Sequence, residues 1–164
     1  SSVTYPCKSP ESKVEEIVFG DKFPTSDGKG KFVSAEVTSP DEVPDEKFPM
    51  ILTTGRQLEH WHTGAMTRKA SNLDALEPEA SVSLSPIDMI DKNIKKGDLI
   101  KVSTRRGEIK IRVREDRSIP LGVIFIPFCY NEAAANLLTN PALDPYGKIP
   151  EFKYCAASIE SLKR

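Results

Sequence analysis

Apolar positions are sparse and irregular through the first 47 residues and become dense and periodic from Phe48 onward. The run "FPMILTT" (48–54) ends in small polar residues, the pattern of a buried strand that feeds a loop. In "ASVSLSP" the two-residue strand period puts Val82 and Leu84 on one face. "KKGDLIKVSTRRGEIKIRVRED" predicts two strands joined at "TRRG". Leu99, Lys101 and Ser103 alternate there with Ile100, Val102 and Thr104, and Ile109, Ile111 and Val113 share a face beyond the turn. "LGVIFIPF" predicts a further apolar strand closed by Pro127, and "YCAASIE" a last one. Two brief helices are expected. In "SPIDMIDKN" Ser85 can cap, Pro86 suits the first turn and Asp88 favours the positive end. "NEAAANLL" (131–138) is rich in helix formers, with Asn131 placed as a cap. Many short strands and few helices predict a mostly β fold closed as a barrel, not a doubly wound sheet.

Residues 1–47 are rich in Pro, Ser, Lys, Asp and Glu, with turn signals at "SDGKG" (26–30) and "SPDEVPDEKFP" (39–49). They are expected to form an extended arm or linker with one or two short strands, leading from a preceding domain into a barrel domain over 48–164. The start "SSVTYPCKSP" suggests a chain cut from something longer. A net charge of −1 gives no support for bulk electrostatic binding to nucleic acid. No apolar run approaches the roughly 20 residues of a membrane span. Cys7, Cys129 and Cys155 are too far apart for a zinc ribbon or an iron–sulfur cluster, and read as unrelated thiols in a reducing cytoplasm.

The candidate chemistry is concentrated in "TTGRQLEHWHTGAMTRK" (53–69), which holds both histidines and the only tryptophan. His60 and His62 would share one face of a strand, as a metal site could use, but no third ligand has good spacing. A second reading starts from a strand ending in Thr-Thr-Gly, where Gly55 would allow close approach of a ligand. Arg56 offers a planar fork for a phosphate, Trp61 a stacking face, and Thr54 and Thr63 hydroxyls. Together these could hold a nucleotide-like cofactor. The plain alternative is a solvated loop with incidental Arg and Trp.

This segment resembles the "TTGR…EHWHTG.MTR" stretch of molybdopterin oxidoreductases of the dimethyl-sulfoxide-reductase superfamily. The resemblance continues in order through "KKGDLIKVSTRRGEI", "GVIFIPF" and "NEAAANLLTNPALDPYGKIPEFKYCA", and "FPTSDGKGKF" (23–32) is similar to the family's lead-in. The last long stretch is most similar to formate dehydrogenase large subunits, with nitrate reductases as the second family. The resemblance implies a six-stranded double-psi β-barrel, the C-terminal domain that holds bis(molybdopterin guanine dinucleotide) with molybdenum or tungsten for oxidation of formate to CO2. It implies cofactor contacts from the loop carrying Thr54, Gly55, Arg56, Leu58, Glu59, His60, Trp61, His62 and Thr63, from Asn136, and from Lys153 of "EFK". It also places Phe128 near the substrate.

Cys129 stands where formate dehydrogenases often have His, so the resemblance carries no role of that His over to this position. The family's metal-ligating Cys or selenocysteine, its formate-handling His and Arg, and the cysteines of its 4Fe–4S cluster belong to other domains of the subunit and have no counterpart in this chain. The expected partners are therefore those remaining domains and electron-transfer subunits, with no catalytic residue and no metal ligand supplied here. A free-standing barrel that binds a partner or small ligand without catalysis is the alternative from another class.

Overall fold

The computed structural model describes Cys7, Ser9, Glu11, Ser12 and residues 17–162. The chain divides between Thr38 and Ser39 into two compact units. In the first, the "SDGKG" signal forms a turn: Gly28 N–H donates to the Thr25 carbonyl (3.1 Å) and Phe23 N–H to the Gly28 carbonyl (3.0 Å). Among the described residues of this unit there is no strand, where one or two were expected. Its apolar side chains Phe32, Val33 and Val37 are exposed, so no strand face is buried to define a register.

The second unit is a barrel. Its described residues form six strands, β1 (Met50–Gly55), β2 (Ser81–Leu84), β3 (Leu99–Ser103), β4 (Glu108–Glu115), β5 (Val123–Pro127) and β6 (Cys155–Ser161), with two short helices, α1 (Ser71–Leu76) and α2 (Pro86–Asp91). They close in the order β1-β5-β2-β4-β3-β6. Two pairs are parallel: β1 with β5, from Ile51 opposite Val123 to Gly55 opposite Pro127, and β2 with β4. The other four are antiparallel. A parallel pair cannot be joined by a hairpin, so the chain must cross over twice to make this barrel, as the double-psi expectation requires.

Strand alternation builds the core. In β4, Ile109, Ile111 and Val113 point inward while Glu108, Lys110 and Arg112 face out. Leu52, Val82, Leu84, Ile100, Val102, Ile124 and Ile126 fill the interior with no accessible surface. The cap of α2 is the one expected: Ser85 Oγ accepts from Asp88 N–H (3.1 Å) and donates to Asp88 Oδ2 (2.8 Å). Asp88 Oδ2 also accepts from Gly122 N–H (2.9 Å), which ties the helix to the entry of β5.

"NEAAANLL" does not form the expected helix. Only a 3-10 turn, Ala135–Leu137, is present, preceded by Ala134 and not capped by Asn131. Eight residues are too few for a helix to stand on propensity alone. Burial of Ala133, Ala135 and Leu138 is better served by an irregular path, and Arg106 takes the Leu138 carbonyl through Nε (3.2 Å) and Nη2 (2.9 Å). Helix α1 had no counterpart in the sequence reading; Leu73 and Leu76 lie on its exposed side and give little periodic signal.

Residues 39–48 strap onto the barrel through Glu42. Its carboxylate pairs with both Arg106 Nη atoms, with Arg105 Nη1 (3.2 Å), and with Ala156 N–H of β6 (2.6 Å). Burial alone would raise the Glu42 carboxyl, but the Arg106 and Ala156 hydrogen bonds outweigh it and hold it below the ordinary value of 4.5. A depressed folded-state value contributes stability above the ordinary carboxylate range and loses it as pH falls below 4.5. Glu42→Gln should therefore lower the urea midpoint at pH 7, and its difference from the parent chain should shrink at pH 3. An equal difference at both values would show that the charge is not what holds the strap.

Candidate functional site

Because β1 and β5 are parallel and in register at Gly55 and Pro127, both deliver their following residues to the same end of the barrel. The loop after β1 brings Arg56, His62 and Thr63 there, and the residue after β5 is Phe128. The segments 136–141 and 150–153 form the facing wall, and the result is a cavity of about 830 Å³. That is a volume suited to a small-molecule ligand, for which roughly 300–1,000 Å³ is usual. It is lined by Thr54, Arg56, His62, Thr63, Phe128 and Asn136 on one part, and by Thr139, Asn140, Pro141, Pro150, Phe152 and Lys153 on the other.

The charges are one-sided. Arg56 and Lys153 line the cavity, and among the described residues no carboxylate does. Arg56 is exposed and, among the described residues, has neither a hydrogen bond nor an ion pair. Lys153 Nζ donates to the Thr54 carbonyl (2.7 Å) and lies 5.9 Å from the Phe128 ring and 5.5 Å from the Phe152 ring, so the cation is fixed between two aromatic faces. Thr54 Oγ1 donates to the Phe152 carbonyl (3.0 Å), fastening the far wall to β1. His62 adopts φ 50°, which turns its ring onto Phe128 at 5.2 Å. The arrangement offers cations, an amide and ring faces to a ligand that is anionic and partly flat.

Seven residues singled out from the sequence, Thr54, Arg56, His62, Thr63, Phe128, Asn136 and Lys153, meet at this cavity; Gly55, Leu58, Glu59, His60 and Trp61 are not on its wall. Gly55 lacks a side chain for the sake of packing: a Cβ there would stand 2.5 Å from Cε2 of Phe125. Leu58 and Trp61 are exposed, and Glu59 accepts from Gln57 Nε2, a bond that lowers its carboxyl below the ordinary value. His60 and His62 do not share a strand face, because the chain turns between them; the His60 ring is buried edge-on to Tyr130. Burial pushes the Tyr130 phenol up to about 12, so it stays protonated and donates to the Glu77 carbonyl (2.9 Å).

Thr139, Asn140, Pro141, Pro150 and Phe152 also line the cavity, and none of them is among the residues that the sequence singles out. The signal was the Asn-Pro pair: Asn140 Oδ1 accepts from Ala142 N–H (3.0 Å), the local bond that Asn uses to build a turn.

The family model of the Molydopterin dinucleotide binding domain matches residues 50–156. The chain is 43% identical over 158 residues to the F420-dependent formate dehydrogenase 1 subunit alpha of Methanococcus maripaludis, covering 96% of this chain and 23% of that one. It is 43% identical over 160 residues to the F420-dependent formate dehydrogenase subunit alpha of Methanocaldococcus jannaschii, covering 98% and 24%. The chain thus spans about a quarter of the length of these relatives. Among solved structures, acetylene hydratase from Pelobacter acetylenicus shares the fold with a TM-score of 0.64 at 20% identity, over 71% of this chain and 19% of that one. Among the described residues no helix is long and apolar enough to cross a membrane.

Proposed function

Since the chain belongs to the molydopterin dinucleotide binding domain family, we propose that it is the cofactor-holding part of a formate dehydrogenase alpha subunit. The observation that carries this reading is the cavity at the β1–β5 end, whose only charged side chains among the described residues are Arg56 and Lys153. A dinucleotide brings a pyrophosphate, a base and a pterin, and these cations, the Asn136 amide and the Phe128 and Phe152 rings suit such a ligand. In the whole subunit the bound molybdenum or tungsten cofactor would supply the redox chemistry, taking two electrons from formate as CO2 and a proton are released. This chain would bind and orient. Arg56 and Lys153 would neutralise anionic oxygens, Asn136 and Thr63 would give hydrogen bonds, and His62 on Phe128 would shape the wall beside the substrate.

On this reading residues 48–164 are the dinucleotide-binding domain and 1–47 the linker from the preceding one. The remaining domains would carry the 4Fe–4S cluster and the groups that handle formate. Electrons would leave through a separate electron-transfer subunit. The free cysteines suit a reducing cytoplasm.

In the full-length subunit, Arg56→Ala should lower metal and pterin content after identical purification. A charge-assisted hydrogen bond to phosphate is worth roughly 1.5–3 kcal/mol, so binding should weaken about ten- to a hundredfold. Lys153→Ala should do the same, and Lys110→Ala, on the outer face of β4, should retain the wild-type content. Equal cofactor content in all three variants would overturn the reading. The 164-residue chain alone should not oxidise formate with any acceptor.

A further inference from the structure

We propose that His60 is a positioning residue: it fixes the loop that carries Arg56, His62 and Thr63 to the cavity and does not itself touch the ligand. What the loop binds rests on the cofactor-holding reading above; how the loop is held does not. Between residues 56 and 63 His60 is the one buried residue, with 2% of its surface exposed. Arg56, Leu58, Trp61, His62 and Thr63 are all exposed, so the loop has little apolar anchoring of its own. Besides the His62 ring on Phe128 and the Gln57–Glu59 bond, it is held by the His60 side chain and the backbone bonds around it.

The ring is fully committed. Nε2 lies 2.9 Å from the Glu77 carbonyl oxygen, which can only accept, so Nε2 carries the hydrogen. The same oxygen accepts from Tyr130 Oη, which uses both of its lone pairs. In the neutral ring Nδ1 is then the acceptor, 3.3 Å from Thr67 Oγ1. That hydroxyl in turn accepts from Trp61 N–H at 3.0 Å. A single directed chain results: Trp61 N–H to Thr67 Oγ1–H to His60 Nδ1, then His60 Nε2–H to the Glu77 carbonyl. Each donor has one acceptor, so the ring has one orientation and one tautomer. Neither nitrogen is left for a ligand. Backbone bonds extend the clamp along the loop, from His60 N–H to the Gln57 carbonyl (3.2 Å) and from Gly64 N–H to the Trp61 carbonyl (2.9 Å). With His60 pinned at the middle, Arg56 and His62 are held on the cavity side at fixed distances along the chain.

Three measurements on the 164-residue chain test this. Long-range proton–nitrogen NMR of the two histidines should show His60 as the Nε2–H tautomer in the unsubstituted chain. In limited digestion with trypsin, His60→Leu should raise the rate of cleavage after Arg56 at least tenfold, while amide protection of β2 and β4 stays as in the parent. His60→Gln, whose carboxamide nitrogen can reach the Glu77 carbonyl, should restore the rate to within about threefold. The third arm titrates pyrophosphate: His60→Leu should bind it at least tenfold more weakly than the parent, and His60→Gln nearly as well. Should the parent chain fail to bind pyrophosphate, the anion-binding reading of the cavity is what falls, and cleavage and tautomer still decide the role of His60. An Nδ1–H tautomer overturns the inference, as does parental cleavage in His60→Leu. If His60→Leu does not fold, the tautomer together with rescue by His60→Gln sustains it, and a folded His60→Gln chain cleaved at least tenfold faster after Arg56 than the parent overturns it.

Discussion

Leu52→Ala should remove about 2–5 kcal/mol of unfolding free energy, the range for truncating a large buried aliphatic side chain where the surroundings cannot collapse. Leu52 sits in the middle of β1 with no accessible surface, opposite Ile124 on one side and Cys155 on the other. Both neighbours belong to strands of a closed ring, so neither can move inward without breaking its own ladder. A domain of ordinary stability has only about 5–15 kcal/mol in all, so the loss should shift the urea midpoint well outside error and lower Tm by several degrees. Lys110→Ala on the outward face of β4 is the companion measurement, expected within about 0.5 kcal/mol of the parent. A loss below about 1 kcal/mol for Leu52→Ala would mean that the barrel interior can relax around a missing side chain.

Gly64→Ala should cost about 2–6 kcal/mol, combining a strained backbone with overpacking, each worth about 1–3 kcal/mol. Gly64 has φ 74°, where a side chain is strained in any surroundings. A Cβ would also meet Cγ of Arg68 at 2.6 Å and the Cys129 carbonyl oxygen at 2.7 Å. The Arg68 chain could swing away only by giving up its bond to the Pro78 carbonyl and its pairs with Asp74 and Glu132. The Cys129 carbonyl is backbone just beyond β5 and has less freedom still. The damage should therefore concentrate in the loop after β1. Chemical denaturation gives the magnitude, and amide exchange gives the location: faster exchange at residues 60–68 with β2 and β4 unchanged. A variant as stable as the parent would show that the turn at Gly64 is slack.

The strands were legible because alternation is local. Val82 with Leu84, and Ile109 with Ile111 and Val113, declare their faces within a few residues of chain. Which strand lies beside which was not written locally: β1 pairs with β5 across some seventy residues, and only the resemblance to known oxidoreductases pointed to the double-psi form of the barrel. The loop segment shows the same limit. Its residue types pointed to a ligand, and Arg56, His62 and Thr63 do line the cavity. Nothing in "EHWHTG" distinguishes a histidine that faces a ligand from one whose partners are a carbonyl 17 residues on and a hydroxyl seven residues on. Gly55 shows the same limit, because the ring it makes room for comes from β5. "NEAAANLL" erred the other way, since helix propensity was real but lost to the burial of Ala133, Ala135 and Leu138.

The place of β6 in the barrel has a consequence for how the protein is made. β6 lies between β1 and β3, yet it follows every other strand in the chain. Synthesis runs from the N-terminus, so the ring stays open until the last of its staves leaves the ribosome. During that interval β1 and β3 are unpaired on one side, and exposed strand edges recruit other chains. Lys101 gives β3 some protection, whereas β1, "MILTTG", carries no charge at all. A nascent chain paused before Cys155, or a product clipped there, would present that uncharged edge to its neighbours. Such species should need a chaperone to stay in solution, and yield of folded protein should depend on how fast translation passes through the β6 segment.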